Sequence, residues 1–156
     1  MQIRKANESD VAGCVAIIEA RRLRYAEYEP RFWKKAANSG EMSKLWFAHL
    51  FARPENVVLV AVEGPTLLGF VIAVNYPAPP IVDLPGKNAL IDDFAVISDE
   101  RWMDVGTPLL AACKEALKTL GYIQIVVIGA PKDVAKTAFL EQADLSLAST
   151  WWTAGL

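Results

Sequence analysis

Apolar residues follow two different spacings along the chain, and these spacings predict its secondary structure. Consecutive apolar residues bounded by turn residues predict buried strands, whereas apolar residues at i, i+3 and i+4 predict amphipathic helices. The strands predicted in this way are Gln2–Lys5, Val57–Glu63, Leu67–Asn75, Leu90–Ile97, Tyr122–Ile128 and one or two short ones within Leu145–Thr153.

Helical spacing predicts four helices. Pro30 marks the start of the second helix, and Gly121 ends the third. The helices are predicted over 11–24, over 30–53 with an interruption at 38–40, over 105–120 and over Asp133–Gln142. The resulting order, β-αα-ββ-β-α-β-α-β, predicts one α/β domain with a mixed sheet over residues 1–156.

Composition narrows the class of protein. The chain has 156 residues, of which 53% are hydrophobic and 22% are charged, which is typical of a globular domain with a sizeable core. Sixteen lysines and arginines against eighteen aspartates and glutamates give a net charge of -2. This balance argues against a general nucleic-acid-binding protein, which would carry a basic stripe.

Targeting and metal signals are weak in this chain. The longest apolar runs, Val57–Val62 and Leu67–Val74, are too short to span a membrane, so no membrane partner is expected. Cys14 and Cys113 fall on apolar helix faces, which predicts buried thiols in a reducing, cytoplasmic compartment. With one histidine and two unclustered cysteines, no metal site is expected.

The segment from Ile91 to Leu110 is the strongest candidate for chemistry. An apolar strand carrying two carboxylates leads through a polar turn into an amphipathic helix. The backbone N–H groups and the positive dipole end of a helix N-terminus favour a phosphate group. A phosphorylated ligand is therefore expected at this turn, with the two acids within reach of whatever is held beside it.

The two acids, Asp92 and Asp93, allow two interpretations. Because adjacent residues of a regular strand point to opposite faces, we expect at most one of them to face the cleft. A carboxylate in an apolar strand destabilises the fold unless it forms an ion pair or is solvated. It could act through water as the general base for an ammonium substrate, or it could form a structural ion pair with Arg22, Arg24 or another basic group.

The element order and three motifs resemble the GNAT superfamily of acetyl-CoA-dependent N-acetyltransferases. The run Arg101–Gly106 resembles the family's pyrophosphate-binding turn, Arg/Gln-x-x-Gly-x-Gly/Ala. Ile91–Val96 is similar to the acidic strand of the diamine and polyamine acetyltransferase branch. Ala138–Leu145 resembles the family's last helix. The resemblance covers nearly the whole chain and implies an α/β (α+β) fold with a mixed, mostly antiparallel sheet flanked by helices.

The resemblance also implies a reaction and a site. Acetyl-CoA would donate its acetyl group to an amine of a small molecule or peptide, which would enter between the first two helices and the C-terminal strands. Asp92 or Asp93 would take the proton, with Asp92 favoured by the similarity to the polyamine branch. The implied coenzyme-binding residues are Phe94, Ala95 and Val96 along the pantetheine arm, and Arg101, Val105, Gly106 and Thr107 at the pyrophosphate.

Three departures from the family pattern define an alternative. Asp104 stands where the first glycine of the turn is expected, Leu140 replaces the tyrosine that protonates the leaving thiolate, and Asp133 replaces an asparagine. These changes are compatible with a catalytically degenerate binding or sensor domain. Binding of another phosphorylated ligand at the same turn is a further, weaker hypothesis. The apolar helix over 42–51 makes a homodimer an additional expectation.

Overall fold

A five-stranded sheet flanked by helices forms the computed structural model, which describes residues 1–156. The first four strands pair antiparallel in sequence order, and the fifth pairs parallel with the fourth. This mixed sheet confirms the predicted fold class. The strands are β1 (Gln2–Lys5), β2 (Val57–Glu63), β3 (Thr66–Asn75), β4 (Lys87–Val96) and β5 (Tyr122–Val127), and the helices are α1 (Val11–Tyr28), α2 (Ser39–Ala52), α3 (Thr107–Thr119) and α4 (Val134–Gln142).

The sheet is covered on both faces, as the consecutive apolar residues of its strands predict. One hydrophobic cluster joins α3, Trp102 and Phe139 to the sheet, and the other joins α1 and α2 to the opposite face. Each cluster contains one of the two cysteines, both fully buried and free. None of the four helices is long and apolar enough to cross a lipid bilayer.

A β-bulge interrupts β4 at its two acids. Val71 of β3 pairs with Phe94, but Ala73, two residues further, pairs with Ile91 instead of Asp92. The extra residue in β4 places Ile91 and Phe94, three positions apart, in the same core cluster beside α3. Asp92 and Asp93 consequently both lie on the side of the sheet that carries α1.

Beyond the bulge, β4 and β5 separate. Their last register pair is Ile91 with Val127, followed by one hydrogen bond from the Ile128 N–H to the Ile91 carbonyl at 3.0 Å. The rest of β4 pairs only with β3. A gap therefore opens beside residues 92–96, and side chains from α1 and α4 reach into it.

Two predictions about secondary structure are wrong. Residues 30–38 form turns instead of a helix; the Trp33 ring packs edge-on against Tyr25, with 5.1 Å between their centroids. Leu145–Thr153 contains no strand, because the tail crosses to the loop between α1 and α2, where Trp151 contacts Phe32. That loop, and not a C-terminal strand, thus borders the region proposed for the acceptor.

Gly106 is required by close packing at the start of α3. A Cβ atom built there would lie 2.7 Å from Cε3 of Trp102, whose indole stacks on the Phe139 ring. We expect Gly106→Ala to lower the free energy of unfolding by about 1–3 kcal/mol, since the buried indole cannot move aside. Thermal denaturation measures this loss. Gly40→Ala, where a Cβ meets nothing within 4 Å, is the matched control and should be neutral or slightly stabilising. Equal melting temperatures for the two variants would contradict the packing argument.

Candidate functional site

A cavity of about 100 Å³ lies where β4 and β5 separate. It is bounded by the bulge of β4, the end of β5 and the helices α1 and α4. Its lining combines two carboxylates, two guanidinium groups and an ammonium group with aromatic and aliphatic walls. The lining residues are Ile18, Arg21, Arg22, Tyr25, Trp33, Asp92, Asp93, Phe94, Ile128 and Lys136.

Both predicted acids line this cavity, which corrects the expectation that only one could. The bulge cancels the alternation of side chains at this point, so Asp92 and Asp93 share a face. Asp92 is exposed to solvent, whereas the side chain of Asp93 is only 13% exposed. The two carboxylates therefore line the same cavity but differ in their exposure to solvent.

Asp93 has a perturbed protonation equilibrium. Its pKa is raised to about 6: burial is the largest cause and the negative charge of Asp92 adds to it, while the charges of Arg22 and Lys136 oppose the rise. Arg22 donates a hydrogen bond from Nη2 to Asp93 Oδ1 at 3.3 Å. The ion pair considered from the sequence is thus present with Arg22; Arg24 pairs with Asp99 instead. A carboxyl group with this pKa changes protonation close to neutral pH, as a general base requires.

A buried ion pair crosses the gap between the two strands. Arg21 of α1 binds the carboxylate of Asp133, the residue before α4, and both side chains are 3% exposed. Tyr25 donates its hydroxyl to Asp133 Oδ2 at 2.7 Å. Burial alone would raise the pKa of Asp133, but the charge and hydrogen bond of Arg21 and the hydrogen bond from Tyr25 hold it below its usual value. Since Asp133 is engaged in this way and also caps α4 through the Lys136 N–H, it has a structural role.

Lys136 is a buried ammonium group that the sequence reasoning missed. It is 2% exposed, and its Nζ donates to the Ile128 carbonyl at 2.7 Å. Its pKa is lowered to about 8: burial is the largest cause and the nearby Arg21 charge adds to it, while the charges of Asp133, Asp92 and Asp93 oppose the fall. Its position three residues before the apolar Phe139 on one helix face was the available signal.

The turn before α3 is an irregular helix start. Residues Trp102–Gly106 form a π turn, and the Thr107 N–H donates to the Trp102 carbonyl, five residues back. Such turns are frequent at functional sites. Val105 and Gly106 are buried, whereas Thr107 is exposed and Arg101 is partly exposed. Of the four residues predicted to contact a pyrophosphate, the side chains of Arg101 and Thr107 are therefore accessible.

Asp104 does not fill this turn. Its side chain is 57% exposed, and its Oδ2 accepts a hydrogen bond from Arg101 Nε at 2.7 Å. The carboxylate points to solvent and is partly neutralised by the arginine. The turn thus retains the features that suit a phosphate, although Arg101 is shared with an acid.

Phe94, Ala95 and Val96 present no side chain to a ligand. Their side chains are at most 4% exposed and belong to the two cores. On this stretch β4 pairs only with β3, so a ligand in the gap could contact only its backbone. The ring of Trp102 packs between Phe94 and Phe139 behind this edge, with centroid distances of 5.0 and 4.9 Å.

The model of the acetyltransferase (GNAT) family matches residues 9–143. Among curated protein sequences, none matches the chain significantly.

Several solved structures share the fold at low sequence identity. The tetramutant of the BH1408 protein from Bacillus halodurans has a TM-score of 0.84 and 16% identity, with 100% of both chains covered. A predicted acetyltransferase with acetyl-CoA from Clostridium acetobutylicum has a TM-score of 0.73 and 16% identity, over 99% of this chain and 95% of the other. An aminoglycoside N-acetyltransferase in complex with CoA has a TM-score of 0.70 and 12% identity, over 99% and 93%.

Proposed function

The chain belongs to the GNAT acetyltransferase family, and on that premise we propose that it transfers an acetyl group from acetyl-CoA to a primary amine. The observation that carries this proposal is the acid-bearing cavity at the point where β4 and β5 separate. It lies beside the free edge of β4, downstream of which the chain enters the N-terminus of α3. A thioester held along that edge would bring its carbonyl to the acids.

The proposed reaction is a direct attack that needs no enzyme nucleophile. The acceptor ammonium gives one proton to Asp93, the free amine attacks the thioester carbonyl carbon, and the C–S bond breaks as the amide forms. The second N–H proton is released as the amide forms, and the thiolate takes one proton, so one proton is released overall per turnover. The cavity contributes by positioning the amine and by excluding water.

Lys136 is the group that we propose protonates the thiolate. Leu140, which replaces the tyrosine of the family pattern, has no proton to give, whereas the Lys136 ammonium lines the same cavity. Its pKa of about 8 is close to that of a free thiol, about 8.5. At neutral pH Lys136 is therefore protonated, and its pKa is close to that of the thiol that leaves.

A domain that keeps the fold without the reaction is the second candidate function. The exposed carboxylate of Asp104 at the turn favours it, because a negative charge near this helix start repels a diphosphate. The Trp102 ring between Phe94 and Phe139 favours it too, because it fills space behind the β4 edge. Titration with acetyl-CoA separates the two candidates.

We expect the protein to bind acetyl-CoA, and Asp104→Asn to bind it about two- to fivefold more tightly. The substitution removes the carboxylate next to the helix start and frees Arg101 Nε for the ligand. Isothermal titration calorimetry measures both dissociation constants. Glu115→Gln is the matched control, because it removes an equal charge from the middle of α3 and should leave the affinity unchanged.

Two other outcomes would reject parts of the proposal. If neither protein binds acetyl-CoA, the acetyltransferase proposal is wrong. If only Asp104→Asn binds, the natural chain is the non-acetylating domain.

Two further expectations stay predictions. A cytoplasmic location rests on the two buried thiols. A homodimer rests on the apolar surface of α2, where Met42, Leu45 and Trp46 are each more than half exposed.

A further inference from the structure

A second cavity adjoins the one that holds the acids. Its volume is about 240 Å³, and it lies between α1 and the loop that leads to α2. The two cavities share Arg22, Tyr25 and Trp33 in their linings, so they lie side by side. The residues that line the second cavity are Arg22, Tyr25, Phe32, Trp33, Lys34, Lys35, Ala36 and Ser39.

The lining of this second cavity is cationic and aromatic. Three of its side chains carry a positive charge, and three are aromatic, whereas none is acidic. The aromatic rings pack on one another, with centroid distances of 5.1 Å from Trp33 to Tyr25 and 4.7 Å from Trp33 to Phe32. An apolar group thus finds a preformed wall beside the positive charges.

The positive charges exceed the acids that neutralise them. Glu19, behind the cavity, accepts hydrogen bonds from both Lys35 and Arg22. Arg22 divides its guanidinium between Glu19 and Asp93. Lys34 is exposed and forms no ion pair, so its ammonium is free for an anion at the mouth of the cavity.

The two cavities therefore differ in sign, and Arg22 stands at their boundary. The carboxylates of Asp92 and Asp93 attract an ammonium on one side, and Lys34, Lys35 and Arg22 attract an anion on the other. A diamine would have to place its second ammonium near Lys34, whose positive charge no acid of the cavity neutralises, which is unfavourable. A molecule with an amine and a carboxylate matches both sides.

We propose that the acceptor is an amino acid with a free carboxylate and an apolar side chain, a proposal that rests on the proposed acetyl transfer. Its amine lies at the acids of β4, its carboxylate lies among Arg22, Lys34 and Lys35, and its side chain contacts the aromatic wall. This assignment separates the chain from the polyamine branch suggested by its acidic strand.

The test compares phenylalanine with phenethylamine, which differs by the carboxylate alone, and with putrescine. With acetyl-CoA as donor, we expect kcat/KM for phenylalanine to exceed that for either amine by at least tenfold. Lys34→Glu should lower kcat/KM for phenylalanine about tenfold and leave that for phenethylamine unchanged or higher. Lys44→Glu, an equal charge reversal at an exposed lysine of α2 outside the cavity, is the matched control and should change neither.

Calorimetric binding of the same three compounds separates this inference from the proposed function. If phenylalanine binds more tightly than phenethylamine and Lys34→Glu removes the difference, the amino-acid site stands even where no acetyl transfer is found. If acetyl transfer proceeds but phenethylamine or putrescine equals phenylalanine, the inference is wrong and the transferase proposal stands. An equal response to Lys34→Glu and Lys44→Glu would also overturn the inference.

Discussion

Replacing Asp93 by asparagine is expected to lower kcat/KM for acetyl transfer by about 10²- to 10⁴-fold. Its carboxylate is the buried acid of the cavity and holds a pKa of about 6, so it is the group poised to take a proton from an ammonium. Asparagine keeps the shape of the side chain but cannot accept the proton. Initial rates with acetyl-CoA and the acceptor measure the loss.

The pH dependence of the natural protein tests the same role. Because the base must be ionised, kcat/KM should rise with pH through about 6. The charged groups that set this midpoint are Asp92 on β4, Arg22 on α1 and Lys136 on α4. Asp92→Asn tests this midpoint: it removes a charge that raises the pKa of Asp93, so the midpoint should move to lower pH. A midpoint that does not move would argue against Asp93 as the base.

Asp93→Asn should also make the protein more stable at pH 7, whereas removal of an acid whose pKa is lowered by an ion pair would make it less stable. The pKa is raised from 3.8 in the unfolded chain to about 6 in the fold, so the folded state favours the protonated carboxyl. The associated stability is fully present below about pH 4 and is lost as the pH rises through 6. At pH 7 the loss is about 3 kcal/mol, since one pKa unit is worth about 1.4 kcal/mol. A lower melting temperature for the variant would contradict this account.

Asp133→Asn is expected to destabilise the protein by about 3–5 kcal/mol, which corresponds to a fall in melting temperature of roughly 10 °C. Asparagine can still cap α4, but it leaves the Arg21 guanidinium as an uncompensated buried charge. Apart from Asp133, Arg21 donates only to the neutral Tyr25 hydroxyl, at 3.3 Å from Nε, and its Nη1 has no partner, so no other acid compensates its charge. Thermal or urea denaturation measures the loss.

Asp99→Asn provides the matched control for this ion pair. The Arg24–Asp99 pair has similar chemistry, but its side chains are 42% and 35% exposed. Its loss should cost less than about 1 kcal/mol. Because the pKa of Asp133 is lowered in the fold, its stabilisation is present above the unfolded pKa and is lost as the pH falls. The difference between the natural protein and Asp133→Asn should therefore shrink in acid. Equal losses of stability in the two variants at pH 7 would show that burial does not increase the contribution of the Arg21–Asp133 pair.

Much of the fold could be predicted because its signals are local. The apolar run at 57–63 matches β2 at both ends, and the helical stripe ended by Gly121 matches α3 to within two residues at each end. Asn7 caps the turn before α1: its Oδ1 accepts from the Ser9 N–H, and its own N–H donates to Asp10 Oδ2, both at 2.9 Å. In each of these cases the residues that determine the element lie inside it or next to it.

The site depended on contacts between distant parts of the chain, which local patterns do not contain. Arg21 and Asp133 are separated by 112 positions, and nothing in the period of α1 distinguishes Arg21 from a solvated arginine. Pro30 is a valid helix-start signal that packing of Trp33 on Tyr25 overrides. The second cavity was missed for the same reason, since it exists only because the loop over 30–38 folds back on α1.

The extra residue in β4 serves the cavity and not the cores. A chain with one acid fewer between Ile91 and Phe94 would regain strict alternation, with Ile91, Phe94 and Val96 still in one core and Ala95 still in the other. The Phe94 ring would keep its place against Phe139. Deleting one acid would therefore spare both cores and leave a single carboxylate on the side of the sheet that carries α1.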